Sequence, residues 1–313
     1  NFLLKIISHL LYIIQSVYFA IKNYNKFDHI FFYQTGPLTN GICLMFFSNK
    51  TPKSIWIQDL WPETVNVFSK NFFINFFAFQ ISKFIYKRIT NFFISCEGFT
   101  TILTRNFNVN KNRIFYAPNW SLNPFKLGFK KNFNKEKIKI LYAGNVGRFQ
   151  NLDRVLTCFL QSKCENITFE ILGDGSVLNN LKNKFSNNSR IIFHKRVPMS
   201  ETKAFFEKTD FVILSLVENN LFKIMMPSKV QSYITTNRPI ISIISGFTNN
   251  FIENYNLGYS SESNNDSSII NLFDKISMLT TNEYNSFEKF FSNVNEFFIP
   301  STIINKIITT LEK

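Results

Sequence analysis

Residues 144–148, Gly-Asn-Val-Gly-Arg, follow a β-rich run, Ile138–Ala143, and precede Leu152, Val155, Leu156 and Phe159 at helical spacing. A strand, a glycine turn and a helix make a natural anion cradle. Gly144 and Gly147 let the main chain come close to a ligand, and the helix start offers free N–H groups. Arg148 would add a charged fork for a phosphate. A plain βα turn reads the same way, so both readings stay open. Three further places are expected at strand ends. Leu172-Gly173-Asp174-Gly175-Ser176 is either a ligand loop or a turn with Ser176 capping the next helix. Residues 216–227 are expected as a long loop holding Glu218 and Lys223. Pro227-Ser228-Lys229 opens a helix, with Ser228 suited to the cap and Lys229 electrostatically out of place in a first turn. A cation there makes sense when it and the helix start face one anion; a solvated surface lysine is the alternative.

The elements that would position these residues alternate. In the first part a helix is expected over 2–23, a strand over His29–Gln34, a helix near 39–48 and a strand over Ser54–Gln58. Asp59-Leu60-Trp61-Pro62 follows, then helix over about 72–90, strand Phe92–Ser95, helix around 97–106 and a short strand near 113–116. After an irregular stretch, strands are expected at 138–143, 167–172, 190–194, 210–216 and 239–244. Helices near 150–163, 176–186, 200–208 and 228–236 separate them. Alternating β and α elements indicate an α/β fold with parallel sheets, and the second series has the rhythm of a doubly wound sheet. The expected domains are 1–122, then a linker at 123–136, a second domain at 137–286 and a C-terminal helical segment at 287–313 packing back on the first.

A chain of 313 residues, 45% hydrophobic, is long and apolar enough to give two such domains a full core each. The net charge of +14 favours anionic partners: nucleotide phosphates, nucleic acid or an acidic membrane. No nucleic-acid motif or base-stacking set accompanies it. Cys43, Cys96, Cys158 and Cys164 form no CxxC pair, and with His9, His29 and His194 they show no metal-ligand spacing. That usage fits a reducing cytosol. Residues 2–21 are apolar enough to consider a membrane span, but Lys5, His9 and Gln15 interrupt them and no cleavage site follows. A buried or interfacial amphipathic helix is the expectation.

The order YAGNVGR, FEILGDGS, DFVILSL and MPSKVQSYITTNRPII resembles the C-terminal half of a GT-B glycosyltransferase of family 4. It is similar in flavour to bacterial transferases that build O-antigen or capsule repeat units, including the fucosamine-type aminosugar group. SIWIQDLWPETV and FYAPNW are similar to stretches of that group's acceptor domain, so the match covers most of 28–245. The resemblance implies two Rossmann-like doubly wound domains facing a central cleft, the first incomplete at its start by roughly 60–90 residues. It implies metal-independent transfer of a hexosyl-type sugar, an aminosugar or deoxy sugar, from a UDP-sugar with retention of configuration, and no cofactor. Gly144, Asn145 and Gly147 would approach the donor, Arg148 and Lys229 would pair with its diphosphate, and Ser228 would help cap it. Glu218 falls where the family has an acidic residue near the donor sugar or ribose. Ser232 stands where its second glutamate would fall, and Met226 where a seven-residue spacing from Glu218 would put it. Asp59 falls near a polar residue of the acceptor side, or caps the helix after Pro62. The acceptor would be polyprenyl-linked or an oligosaccharide, at the inner face of the plasma membrane. Lys83, Lys87 and Arg88, beside Phe72, Phe73, Phe76, Phe77 and Phe79, would dock on anionic lipid unless those phenylalanines are core. Rival readings are a nucleotide-sugar epimerase of the same fold and a degenerate, non-catalytic nucleotide- or membrane-binding remnant.

Overall fold

The computed structural model describes residues 2–121 and 126–312. It divides into two compact units, Asn1–Asn119 with Asn305–Lys313, and Trp120–Ile304.

The first unit opens with α1 (Phe2–Lys22) and β1 (Ile30–Gln34). Leu38–Phe46 then winds as a 3-10 helix where an α-helix was expected, because the weak α-formers Thr39, Asn40 and Gly41 fall in its first half. Next come β2 (Lys53–Ile57), α2 (Glu63–Phe68), α3 (Phe72–Tyr86), β3 (Asn91–Ile94), α4 (Phe99–Phe107) and β4 (Ile114–Tyr116). The four strands are parallel and lie in chain order, β1-β2-β3-β4. β2 is buried along its whole length, and its Lys53 is accommodated because the ammonium donates to Ser48 O at 2.6 Å and Thr51 O at 3.0 Å. Among the described side chains of α1, Leu4, Leu11, Ile14 and Tyr18 are exposed. No described helix is long and apolar enough to cross a membrane.

In the second unit, residues 126–136 of the expected linker carry no helix or strand yet are packed. Phe133 stacks on Tyr284 with ring centroids 4.3 Å apart, and Lys130 pairs with the buried Asp210 at 2.7 Å. Residues 123–125 of that linker lie outside the described residues. The chain continues through β5 (Ile138–Ala143), α5 (Leu152–Gln161), β6 (Ile167–Leu172), α6 (Leu178–Phe185), β7 (Ile191–His194), α7 (Thr202–Lys208) and β8 (Phe211–Ser215). Then follow α8 (Asn220–Ile224), α9 (Ser228–Ile234), β9 (Ile240–Ile243), α10 (Phe247–Asn254), β10 (Gly258–Ser261) and α11 (Asp266–Ser277). Two short helices, α12 (Thr281–Asn285) and α13 (Glu288–Asn295), precede α14 (Pro300–Leu311). α8, α10 and β10 are additions to the expected pattern; each is short, and β10 (GYSS) has no apolar run to announce it.

The strands form one parallel sheet in the order β10-β9-β8-β5-β6-β7. Chain order reverses between β5 and β8, which makes their carboxyl ends a topological switch point, where open α/β sheets bind ligands. Ile138, Ile140 and Tyr142 of β5 share a core with Val155, Leu156 and Phe159 of α5 and Phe273 of α11. Leu141, on the other side of the pleat, is buried too. Burial on both faces explains why these strands read as continuous apolar runs.

Arg238 ties this unit together. It is 3% exposed and donates to Gly128 O at 2.8 Å, Thr209 O at 3.0 Å, Phe206 O at 3.1 Å, Thr236 O at 3.0 Å and Asn237 O at 3.1 Å. One guanidinium thereby serves the ends of α7 and α9 and the packed segment near 128. Arg238→Met leaves these carbonyls unpaired and is expected to lower the free energy of urea unfolding by about 3 kcal/mol. Lysine lacks the planar fork, so Arg238→Lys should recover little of the loss.

Candidate functional site

The turn after β5 is held by its neighbours. Gly144 N–H donates to Leu172 O at 2.9 Å, Val146 N–H to Asp174 O at 2.8 Å, and Val177 N–H returns to Val146 O at 3.2 Å. Two glycine turns, after β5 and after β6, are thus laced together. The lacing requires Gly173: its φ is +153°, and a Cβ there would lie 1.9 Å from Gly144 O. The second turn therefore supports the first. Ser176 does not cap α6, because the helix starts after Val177 and has no side-chain cap. The Asp174 carboxylate instead accepts from Gly175 N–H at 2.7 Å.

The turn also differs from a direct strand–turn–helix. Arg148–Gln150 forms a 3-10 turn, and Asn151 takes a left-handed conformation (φ 55°) before α5 begins. Gly147 N–H is occupied by Gln150 Oε1 at 2.9 Å. Asn145 and Arg148 are exposed, and Gly147 is buried.

Lys229 is brought to this turn from α9. Gly144 has φ +134°, and a Cβ there would fall 2.7 Å from Lys229 Cε and 3.0 Å from Nζ, so the lysine runs across bare main chain. Its ammonium donates to the Tyr142 hydroxyl at 2.5 Å and lies 3.7 Å from that ring's centroid. The Tyr142 hydroxyl donates in turn to Asn145 O at 2.5 Å. Tyr233, also on α9, places its hydroxyl 3.1 Å from both Ala143 N and Ala143 O. Burial pushes the half-buried Lys229 ammonium down to about 7. Burial, reinforced by Tyr233, lifts the Tyr142 phenol far above the ordinary tyrosine range. Ser228 is the first residue of α9 and exposed; it makes no side-chain cap, a place taken by Pro227.

Glu218 stands just beyond the carboxyl end of β8. Val217 N–H donates to Phe149 O at 2.9 Å, which joins this loop to the β5 turn. The Glu218 carboxylate is ion-paired with Lys223 and accepts from Ser245 Oγ at 2.6 Å and Ser263 Oγ at 2.9 Å. The Lys223 bond, then that from Ser245, holds it down at about 2, so Glu218 is a fixed negative charge. Beside the β5 and β6 turns opens a cavity of about 370 Å³, lined by Gly144, Leu172, Gly173, Arg196, Met199 and Thr202 among others. Tyr142 and Arg196 were not singled out in the sequence. The tyrosine's partner lies 87 positions away, and only the folded sheet brings them together.

Asp59 belongs to the other unit, one residue beyond Gln58 after β2. Its main-chain oxygen accepts from Gln34 Nε2 at 2.8 Å, and burial raises its carboxyl above the usual range. It does not cap α2, whose N-cap is Pro62. Among the described residues no group of three or more His, Cys, Asp or Glu could hold a metal ion.

The folded value of Lys229 lies below the unfolded one of about 10.4, so the unfolded chain binds this proton more tightly between the two. The lysine's contribution to stability is therefore poorest below about pH 7 and improves as pH rises toward 10. Urea unfolding of the wild type and of Lys229→Met at about pH 6.5 and 9.5 should show the wild type gaining on the variant at the higher pH.

Residues 125–290 match the family described as glycosyl transferases group 1. A probable glycosyltransferase, WbjE of Pseudomonas aeruginosa, is 25% identical over 188 residues, 54% of this chain. The chain spans 47% of the length of that relative. Among solved structures, S. aureus TarM with fondaparinux, alpha-GlcNAc-glycerol and UDP superposes with a TM-score of 0.66 at 17% identity, over 94% of this chain and 57% of TarM. Anabaena HepE with UDP and glucose gives 0.71 at 11% identity, over 95% of this chain and 81% of HepE. These likenesses show the fold, an α/β GT-B arrangement of parallel sheets. With the family match covering more than half of its length, the chain belongs to the glycosyl transferases group 1 family.

Proposed function

We propose that this chain is the sugar-transferring part of a retaining, metal-independent glycosyltransferase that uses a nucleotide-diphosphate sugar, with UDP as the nucleotide. The observation that carries the reading is the Lys229 ammonium, lying across Gly144 at the switch point with a neutral phenol as its hydrogen-bond partner. A diphosphate on the β5 turn would supply the missing negative charge. Arg148, exposed at the end of the same turn, would bind its outer oxygens. The adjacent cavity, walled by Leu172, Arg196 and Met199, suits the nucleoside. In the reaction the bond from the sugar's anomeric carbon to the diphosphate breaks, and a bond to the acceptor oxygen forms. The acceptor's proton ends on the released phosphate. Charge grows on the diphosphate as it leaves, and Lys229 and Arg148 would stabilise it there. Glu218 would act as a fixed acceptor for donor hydroxyls, and Ser228 would contact the phosphate. Retention, an aminosugar or deoxy-sugar donor, a polyprenyl-linked or oligosaccharide acceptor, and an acceptor-side role for Asp59 rest on the sequence resemblance. So does surface-polysaccharide synthesis at the cytoplasmic face.

A further observation favours docking on an anionic membrane. Phe72, Phe73 and Phe77 of α3 are 73%, 69% and 61% exposed, so these phenylalanines are not core, whereas Phe79 is half-buried and stacks on Phe107 at 5.2 Å. Lys70, Lys83 and Lys87 are exposed on and beside the same helix. Aromatic rings with flanking lysines match an acidic lipid surface.

UDP, GDP and ADP titrated against the protein should separate by thermal stability, with UDP raising the melting temperature most. Lys229→Ala should weaken UDP by about 1.5–3 kcal/mol. No shift with any nucleotide would sink the donor reading. For docking, the protein should float with vesicles containing phosphatidylglycerol and not with pure phosphatidylcholine. Serine at 72, 73 and 77 together should abolish flotation without changing UDP affinity.

A further inference from the structure

The arrangement around Lys229 holds a device that diphosphate binding alone does not explain. The Tyr142 hydroxyl has one proton, and the Asn145 carbonyl takes it at 2.5 Å. Its oxygen can therefore only accept, and it accepts from Lys229. The lysine is thereby fixed in direction and pinned at the mouth of the β5 turn. The ammonium's hydrogen-bond partner is the Tyr142 phenol on β5, and the Tyr233 phenol on its own helix is bonded to the adjacent Ala143; both phenols are kept neutral by burial. Arg148 is the charged side chain of the turn itself, and Asp174 on the neighbouring turn is engaged with Gly175 N–H. Desolvation by burial accounts for the weakened hold of Lys229 on its proton.

We propose that Tyr142 is a positioning residue for the donor diphosphate: its buried hydroxyl pins the Lys229 amine above Gly144 without giving it a counter-charge, so that diphosphate binding draws a proton onto the lysine. The inference rests on the reading of this turn as the diphosphate site. A carboxylate in place of the phenol would keep the lysine charged but would compete with the phosphate. A phenol holds the geometry and leaves the charge to the ligand. The proton is taken from solvent as the diphosphate arrives, and it returns when the nucleotide leaves.

The test is the pH dependence of UDP affinity from about pH 7.5, where the diphosphate is ionised, to about 9, below the midpoint at which the uracil ring loses its N–H proton. In the wild type, affinity should fall about tenfold per pH unit across this range, the slope of one linked proton. In Tyr142→Phe the freed lysine can turn to solvent and regain an ordinary lysine value of about 10.4. Its affinity at about pH 7.5 should then drop about tenfold and stay nearly flat to about pH 9. A folded Tyr142→Phe with wild-type affinity and the wild-type slope overturns the proposal; a purely structural tyrosine would lower the melting temperature and leave the slope alone. Should the variant fail to fold, calorimetry of the wild type at about pH 8 in two buffers of different ionisation enthalpy decides. Close to one proton taken up per UDP supports the proposal, and none overturns it. Failure of UDP to bind the wild type at any pH would instead remove the donor site itself. Binding that is lost in Lys229→Met but indifferent to Tyr142→Phe would sink this inference alone.

Discussion

A cation at the edge of a protein interior needs an anion, a ring of carbonyls or water. Lys53 in the first sheet has carbonyls, and Lys130 has the Asp210 carboxylate. Lys229 has a phenol. Its ammonium has given up much of its hydration and received a neutral hydroxyl and the face of a ring in return. Much of the second unit is arranged around that imbalance. Gly144 has no side chain because the lysine occupies the space. Gly173 has none because the turn that carries Gly144 leans on it. Tyr233 fastens the helix bearing the lysine to the strand bearing the phenol.

The strand order places this imbalance where it can be used. Between β5 and β8 the connections diverge, so the carboxyl ends of these strands are not covered by a direct crossover. Two opposite electrostatic environments stand there side by side. On the β8 loop, Glu218 is saturated by a lysine and two serine hydroxyls and is ionised throughout the ordinary pH range. On the β5 side, Lys229 is under-compensated. The proposed donor, with its negative diphosphate and hydroxyl-bearing sugar, would meet that pair in order.

Much of this was legible in the residues. Period-two spacing marked β5 and β6, a continuous apolar run marked β8 and period-3.6 spacing marked α5, because each buries strongly apolar residues. Lys229 was conspicuous because a cation in a first helical turn opposes the helix dipole. Other features were hidden for identifiable reasons. Ser176 and Ser228 have the right type for caps, but helix starts are decided by main-chain geometry, and Val177 and Pro227 hold those positions. Tyr142 looks like any core aromatic until its hydroxyl meets a side chain 87 positions away. The phenylalanines of α3 repeat at helical spacing whether they face a core or stand in the open, so periodicity could not separate the cases. The short α8 hides in a stretch with loop composition.

The seam between β5 and β8 has a consequence of its own. Their pairing covers only Ile140 with Phe211 and Leu141 with Val212, the shortest register in the sheet. Beyond it the strands part, and the main-chain groups of Ala143 that a neighbouring strand would have taken go to the Tyr233 hydroxyl. The six strands are thus two three-stranded halves, β10-β9-β8 and β5-β6-β7, stitched by two residue pairs and sealed at one end by a side chain. A helix does the work of a strand at that point. The sheet is least continuous directly beneath the place where the ligand would sit, and there a single phenol takes up the main-chain groups of Ala143.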